Sequence, residues 1–264
     1  MSENLGSFRV PEKIYFKKGC LPVALEELKY TQNCQKVLIV TSPELQKQGR
    51  LKPVIDKLNE LGIAYAIHDV NAGMTNAVKI FEPDCLFAFY EDGWDMILAS
   101  KILMAMEKKI YSVAVPCRLG THAQVLPLGY DTDNNFADMV IIDIDLMTAT
   151  INSNYICWAM DSVLKLAMSA CESENATDYS DSMAIQAIQL IFAYLPEILE
   201  NPVNHTVLEK LESAGTMAEI AFFNARADFE KPKNYARCAE LLNMDLEIFT
   251  QKLEDFYQLY LKFN

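Results

Sequence analysis

Histidine is nearly absent from this chain: His68, His122 and His205 are the three it has in 264 residues. A metal centre of one carboxylate and three imidazoles would consume all of them, from three distant segments, so such a centre is not expected. The seven cysteines, at positions 20, 34, 85, 117, 157, 171 and 238, form no C-x-x-C pair and are odd in number. A disulfide framework is therefore not expected, and buried free thiols account for them. Positive charge is also short, with 23 Lys and Arg against 36 Asp and Glu for a net −13. That balance repels nucleic acid and anionic membrane surfaces alike, so neither is an expected partner. No signal-peptide pattern opens the chain, and no apolar run reaches the roughly 18 residues that suggest a transmembrane helix. The expected location is the cytoplasm.

Apolar residues are abundant, at 51% of the chain, enough for a substantial core in one large or two modest domains. Residues 151–171 read as a buried helix, with Ile156, Ala159, Met160, Val163, Leu164, Ala167, Met168 and Cys171 at the three-and-four spacing of one face. Asp161 and Lys165 sit four apart within it. Residues so spaced are neighbours on a helix, so the two charges can neutralise each other where neither could be buried alone. With both ends buried, Lys165→Ala would cost on the order of 3 kcal/mol.

Upstream, short β-branched runs alternate with helical spacing. Strands are expected at 13–16, 36–41, 63–68, 85–89, 110–115, 127–133 and 139–147, with helices at 20–30, 51–61 and from 94 to about 105. The last of these would bury Trp94, Ile97, Leu98, Ile102 and Ala105, with Asp92 as its cap. This alternation is the pattern of a doubly wound α/β unit. Around 148–152 the pattern turns wholly helical, giving expected domains at 8–150 and 151–264. Helices are expected at 179–194, broken by Pro196, and at 203–224, followed by a helix pair in 233–264. The last helix repeats Leu246, Phe249, Leu253, Phe256, Tyr257 and Tyr260.

Several phrases resemble the iron-containing alcohol dehydrogenases, and most of all the alcohol dehydrogenase half of bifunctional aldehyde-alcohol dehydrogenases. Val10, Pro11, Lys13, Ile14, Tyr15, Phe16 and Gly19 match that family's opening Val-Pro-x-Lys-Ile-Tyr-Phe-x-x-Gly phrase, and 139–147, MVIIDIDLM, matches its Ile-Val-Asp-x-Asp-Leu-Met phrase. Residues 151–196 and GTMAEIAFFNA at 215–225 are similar to its helical domain. The resemblance covers roughly residues 8–226. It implies a Rossmann-like, doubly wound parallel-sheet domain followed by a helical domain shorter than the family's, the dehydroquinate synthase-like fold. Family members use NAD(P) with Fe(II) or Zn(II), and bifunctional members assemble into helical filaments.

The departures fall on the chemistry. In the family helix an Asp and a His four later are metal ligands; here Asp161 keeps the ligand position and Lys165 replaces the His, while Lys231 lies near another ligand histidine. A protonated lysine has no acceptor and cannot ligate. The ribose aspartate of the family is Ser42, and its Gly-Gly-Gly-Ser phosphate turn is Tyr90-Glu91-Asp92-Gly93. Two carboxylates there would each oppose a diphosphate by about 1 to 4 kcal/mol at ~4 Å. In the loop 116–125, Pro116, Gly120, Thr121 and Val125 match, and Arg118 is a new candidate anion contact. Cys117 beside that arginine would have a lowered thiol pKa.

The resemblance thus assigns cofactor positions to Ser42, Gly93, Gly120 and Thr121 and a vestigial metal position to Asp161, with no catalytic residue and no bound cofactor expected. The leading reading is an inactive relative serving as an interaction or assembly protein, its partner a second copy or a full-length dehydrogenase. The alternatives are an active NAD(P)-linked, metal-dependent dehydrogenase with a rearranged site, and a sensor of a phosphate ligand or nucleotide.

Overall fold

A computed structural model describes residues 8–106, 108–120, 137–147, 152–228 and 235–263. The expected strand at 127–133 lies outside the described residues. The chain divides into two units, one of Pro11–Thr150 and one of Met1–Val10 with Ile151–Asn264.

The first unit is a six-stranded sheet built from β1 (Lys13–Phe16), β2 (Lys36–Thr41), β3 (Ala64–Asp69), β4 (Cys85–Tyr90), β5 (Tyr111–Pro116) and β6 (Met139–Ile142). All its pairings are parallel, in the order β1-β6-β5-β4-β2-β3. Central strands are buried on both sides, as continuous apolar runs such as VLIV and LFAF require. On one face Val37, Ile39, Phe87, Phe89 and Val113 pack with Leu25 and Leu28 of α1 (Leu21–Tyr30) and Leu58 of α3 (Lys52–Glu60). The chain passes from β2 outward to β3 and then back across to β4, so the topological switch point lies between β2 and β4.

Asp143 explains why the opening and closing phrases of this unit go together. Helix α1 begins at Leu21 without a side-chain cap of its own. Asp143 supplies one from 122 residues away, its Oδ2 accepting from Leu21 N at 2.9 Å and its Oδ1 from Gly19 N at 2.8 Å. Gly19 has φ +76, a left-handed conformation that favours glycine. Asp143 also ends the strand expected over 139–147: β6 stops at Ile142 and a one-turn helix, α6 (Ile144–Met147), follows. Two further short helices were not legible as such, α2 (Pro43–Lys47) and α4 (Asn76–Phe81), each opened by a hydroxyl cap.

In the second unit, α7 (Ser153–Cys171), α8 (Asp178–Glu200) and α9 (His205–Asn224) pack against one another, with α10 (Ala236–Leu241) and α11 (Leu246–Phe263) laid on them. Asn152, Thr177 and Asn204 cap the three long helices, Thr177 in a reciprocal box with Ser180. The opening segment belongs with this unit: Arg9 N donates to Asn224 Oδ1 at 2.6 Å and Asn224 Nδ2 to Arg9 O at 2.8 Å. Pro196 does not end α8, contrary to expectation. It lacks the donor for the Phe192 carbonyl, but burial of Ile198 and Leu199 one turn later carries the helix to Glu200. By length and composition alone α8 is long and apolar enough to cross a membrane, but Ala184, Ala187, Ile188 and Ile191 are core residues here.

If Asp143 is the capping clamp, Asp143→Asn keeps one acceptor oxygen of two and lowers stability by about 1 to 2 kcal/mol. A urea midpoint equal to that of the parent chain would show that the clamp contributes nothing.

Candidate functional site

At the switch point the chain carries a guanidinium that the sequence reading passed over. Arg50 precedes α3 and is almost wholly buried. Its Nη1 donates to Glu91 Oε1 at 2.6 Å, and its Nη2 donates to Cys117 O at 2.6 Å and to Leu146 O. One side chain thus ties the loops after β4 and β5 to α6. The signal available in sequence was slight, a lone arginine between Gly49 and Leu51 with no motif around it.

The residues expected to meet a nucleotide have other duties. Tyr90 is the last residue of β4 and is buried, its carbonyl accepting from Cys117 N at 2.8 Å and Cys117 Sγ at 2.9 Å. Glu91 turns onto Arg50, so it is a paired charge rather than a free one. Asp92 caps α5 (Gly93–Met104), its Oδ1 accepting from Asp95 N at 2.9 Å, and Gly93 is that helix's first residue. Helix α5 buries Met96, Ala99, Ser100 and Ile102; Trp94, expected inside, is 58% exposed. Ser42 caps α2, accepting from Leu45 N at 3.4 Å. Gly120 is buried with φ +65, and Arg118 is partly covered. Thr121 and His122 lie outside the described residues.

Two titrations are displaced at this edge. Burial pushes the Asp95 carboxyl up to about 6, with the charges of Asp92, Glu91 and Asp69 adding to it. Burial likewise pushes the Cys117 thiol up, against the opposing pull of Arg50. The expected lowering of this thiol pKa is therefore overturned: burial away from water outweighs the cation.

The second position lies in the helical unit. Lys165 Nζ donates to Asp161 Oδ2 at 2.6 Å. The carboxylate end is buried, but the Lys165 side chain is 46% exposed, so the pair is only half enclosed. Tyr257 of α11 faces the same carboxylate; burial first, then the Asp161 charge, pushes its phenol up to about 12. Lys231 lies outside the described residues. His205 is the first residue of α9, and in the other unit His68 Nε2 lies 2.7 Å from Gly73 O. Two further buried carboxylates, Glu212 and Glu219 on α9, were not singled out from sequence.

These residues do not fit the groups that the resemblance implies. The charge of Asp161, which the resemblance makes a metal position, is matched by an ammonium that has no lone pair to give, and a phenol faces it. No group of three or more His, Cys, Asp or Glu among the described residues could hold a metal ion. At the switch point, a diphosphate would meet Asp92 and Asp95 where bare amides are needed, and the Arg50 donors are already engaged.

The Fe-containing alcohol dehydrogenase family, C-terminal, matches residues 158–229. The chain is 28% identical over 273 residues to an aldehyde-alcohol dehydrogenase of Clostridium acetobutylicum, covering 84% of this chain and 31% of that protein. It is 29% identical over 274 residues to the bifunctional aldehyde-alcohol dehydrogenase of Escherichia coli K12, covering 85% of this chain and 30% of that one. It therefore spans about a third of the length of these curated relatives. Among solved structures it is similar to a 1,3-propanediol oxidoreductase, with TM-score 0.79 at 20% identity, covering 99% of this chain and 87% of the other. It is also similar to the alcohol dehydrogenase of Oenococcus oeni, with TM-score 0.82 at 16% identity, covering 98% and 87%. At those identities the structural likeness speaks for the fold.

Two outcomes follow from the geometry. Because the folded Asp95 carboxyl titrates near 6 rather than the ordinary 3.8, its contribution is most favourable below about pH 4 and is lost as pH rises through about 6. Asp95→Asn should stabilise the chain at pH 7 by about 1 kcal/mol, after discounting a two-unit shift for half exposure, and should flatten the melting temperature between pH 4 and 6. An unchanged pH profile would refute the displaced carboxyl. For the helix pair, Lys165→Ala should cost about 1 to 2 kcal/mol, less than a fully buried pair, and Lys165→His less again. Equal, negligible losses in both would mean that Asp161 does not need the lysine.

Proposed function

We propose that this chain, a relative of the iron-containing alcohol dehydrogenases with their α/β fold, has set aside the family's metal and cofactor chemistry and works by binding protein. The observation that carries the reading is the Asp161–Lys165 pair at 2.6 Å. A metal brings positive charge to a carboxylate and also open coordination positions; an ammonium brings the charge alone. Substrate polarisation as a Lewis acid is thereby lost, while the buried Asp161 stays neutralised.

The switch point supports the same reading from separate residues. Glu91 and Asp92 occupy the turn where relatives offer glycine amides, and each has an internal use, one on Arg50 and one as a helix cap. A nucleotide or phosphate sensor gains little support there, since the Arg50 donors go to Glu91 and two carbonyls.

The deciding measurement is metal content by elemental mass spectrometry after anaerobic reconstitution with Fe(II) and Zn(II) and desalting, with Asp161→Ala alongside and NAD titrated by calorimetry. The expected result is no stoichiometric metal in either chain and no saturable NAD binding. One metal per chain that is absent from Asp161→Ala would overturn the proposal and restore the active, rearranged dehydrogenase.

A further inference from the structure

The geometry points to the outer stripe of α11 as the seam of an antiparallel, two-fold contact with a second copy of this chain. This deepens the protein-binding reading and rests on it for biological sense, whereas its physical basis is separate. Helix α11 buries Phe249, Leu253 and Phe256 against its own unit. A different stripe faces outward: Asp245, Ile248, Lys252, Asp255, Leu259 and Lys262. Asp245 stands at the helix entrance, where its carbonyl accepts from Phe249 N at 2.9 Å. Ile248 is 54% exposed, Leu259 is partly exposed, and the four charged residues are exposed.

Steps along that stripe alternate between three and four residues, the repeat by which two helices keep a common seam. The stripe is also palindromic in chemistry about the midpoint of Leu253 and Glu254. A two-fold axis there pairs residues whose numbers have a constant sum. Lys252 then meets Asp255 of the second copy, Ile248 meets Leu259, and Asp245 meets Lys262, and each pairing occurs twice. An isologous interface requires this kind of self-complementarity. A parallel, in-register arrangement would instead set Lys252 on Lys252 and Asp255 on Asp255, so the charges select the antiparallel one.

The flank of the seam suits a neighbour as well. Between α8 and α11 runs a groove lined by Ile191, Phe192 and Leu195 and, from the stripe itself, by Lys252, Asp255 and Leu259, and Lys252 Nζ stands 5.8 Å from the centre of the Phe192 ring. The ammonium is thus held over the aromatic wall that α8 presents at the seam's edge. Everything in the stripe lies beyond residue 229, where the family match ends.

Sedimentation equilibrium on the full chain over a range of concentrations tests this directly. The expected species is twice the chain mass of 29.9 kDa. Lys252→Asp alone and Asp255→Lys alone each place like charges opposite one another twice per dimer and should weaken it by about ten-fold. The double variant Lys252→Asp/Asp255→Lys rebuilds both pairs in reverse and should recover the parent affinity. A parent chain that stays monomeric, a dimer indifferent to the single reversals, or a double variant as weak as the singles would each overturn the proposal. Bound metal would sink the proposed function and leave this contact standing, so the two failures are distinguishable.

Discussion

A carboxylate that faces the inside of a long helix must be neutralised within reach of its own side chain, and Asp161 imposes that constraint on the helical unit. A lysine four residues later is the shortest way to meet it, because the three-and-four spacing that makes the helix amphipathic also brings the two side chains together. Tyr257 then becomes a suitable cover. A phenol can approach a carboxylate as a hydrogen-bond donor, and its raised pKa keeps it protonated at any physiological pH. The last helix is therefore seated both by Phe249, Leu253 and Phe256 and by the charge it approaches.

Arg50 answers a parallel problem in the sheet unit. Parallel strands all end at one edge, where carbonyls of the following loops accumulate without ladder partners. A single buried guanidinium meets two of those carbonyls and a carboxylate, which its fan of donors allows and a lysine's ammonium could not do in a plane. Burial of the Asp95 carboxyl is the main cost at this edge, and the neighbouring acids add to it.

What was legible in sequence follows the range of the interactions involved. Strands β2 and β4 and the α7 face could be read from periodicity, which is local, and the Asp161–Lys165 pair from its spacing. Asp92 as a cap was readable because a cap acts three residues away. The Arg50 contacts reach 41, 67 and 96 residues along the chain and Asp143 reaches 122, distances at which no local pattern survives. The misplacement of Trp94 had another cause. Helix α5 is apolar nearly all round, so its spacing does not say which side is buried. The turn at Tyr90 was read through its resemblance to a phosphate loop, which hid that Tyr90 completes a strand and that Glu91 is paired.

Charge also limits where a second copy could approach this chain. A chain with net −13 repels its own copies, and at physiological salt that repulsion still acts over about 8 Å. Self-association therefore has to occur where the surface is locally neutral. The outward stripe of α11 carries two acidic and two basic side chains and sums to zero, in a chain whose acids outnumber its bases by thirteen. One lysine neutralises Asp161 on α7, and two others alternate with aspartates on α11 at the intervals that a two-fold partner would match. An interface assembled this way draws its specificity from charge order and its adhesion from Ile248 and Leu259, so its strength should fall with added salt by less than its fidelity.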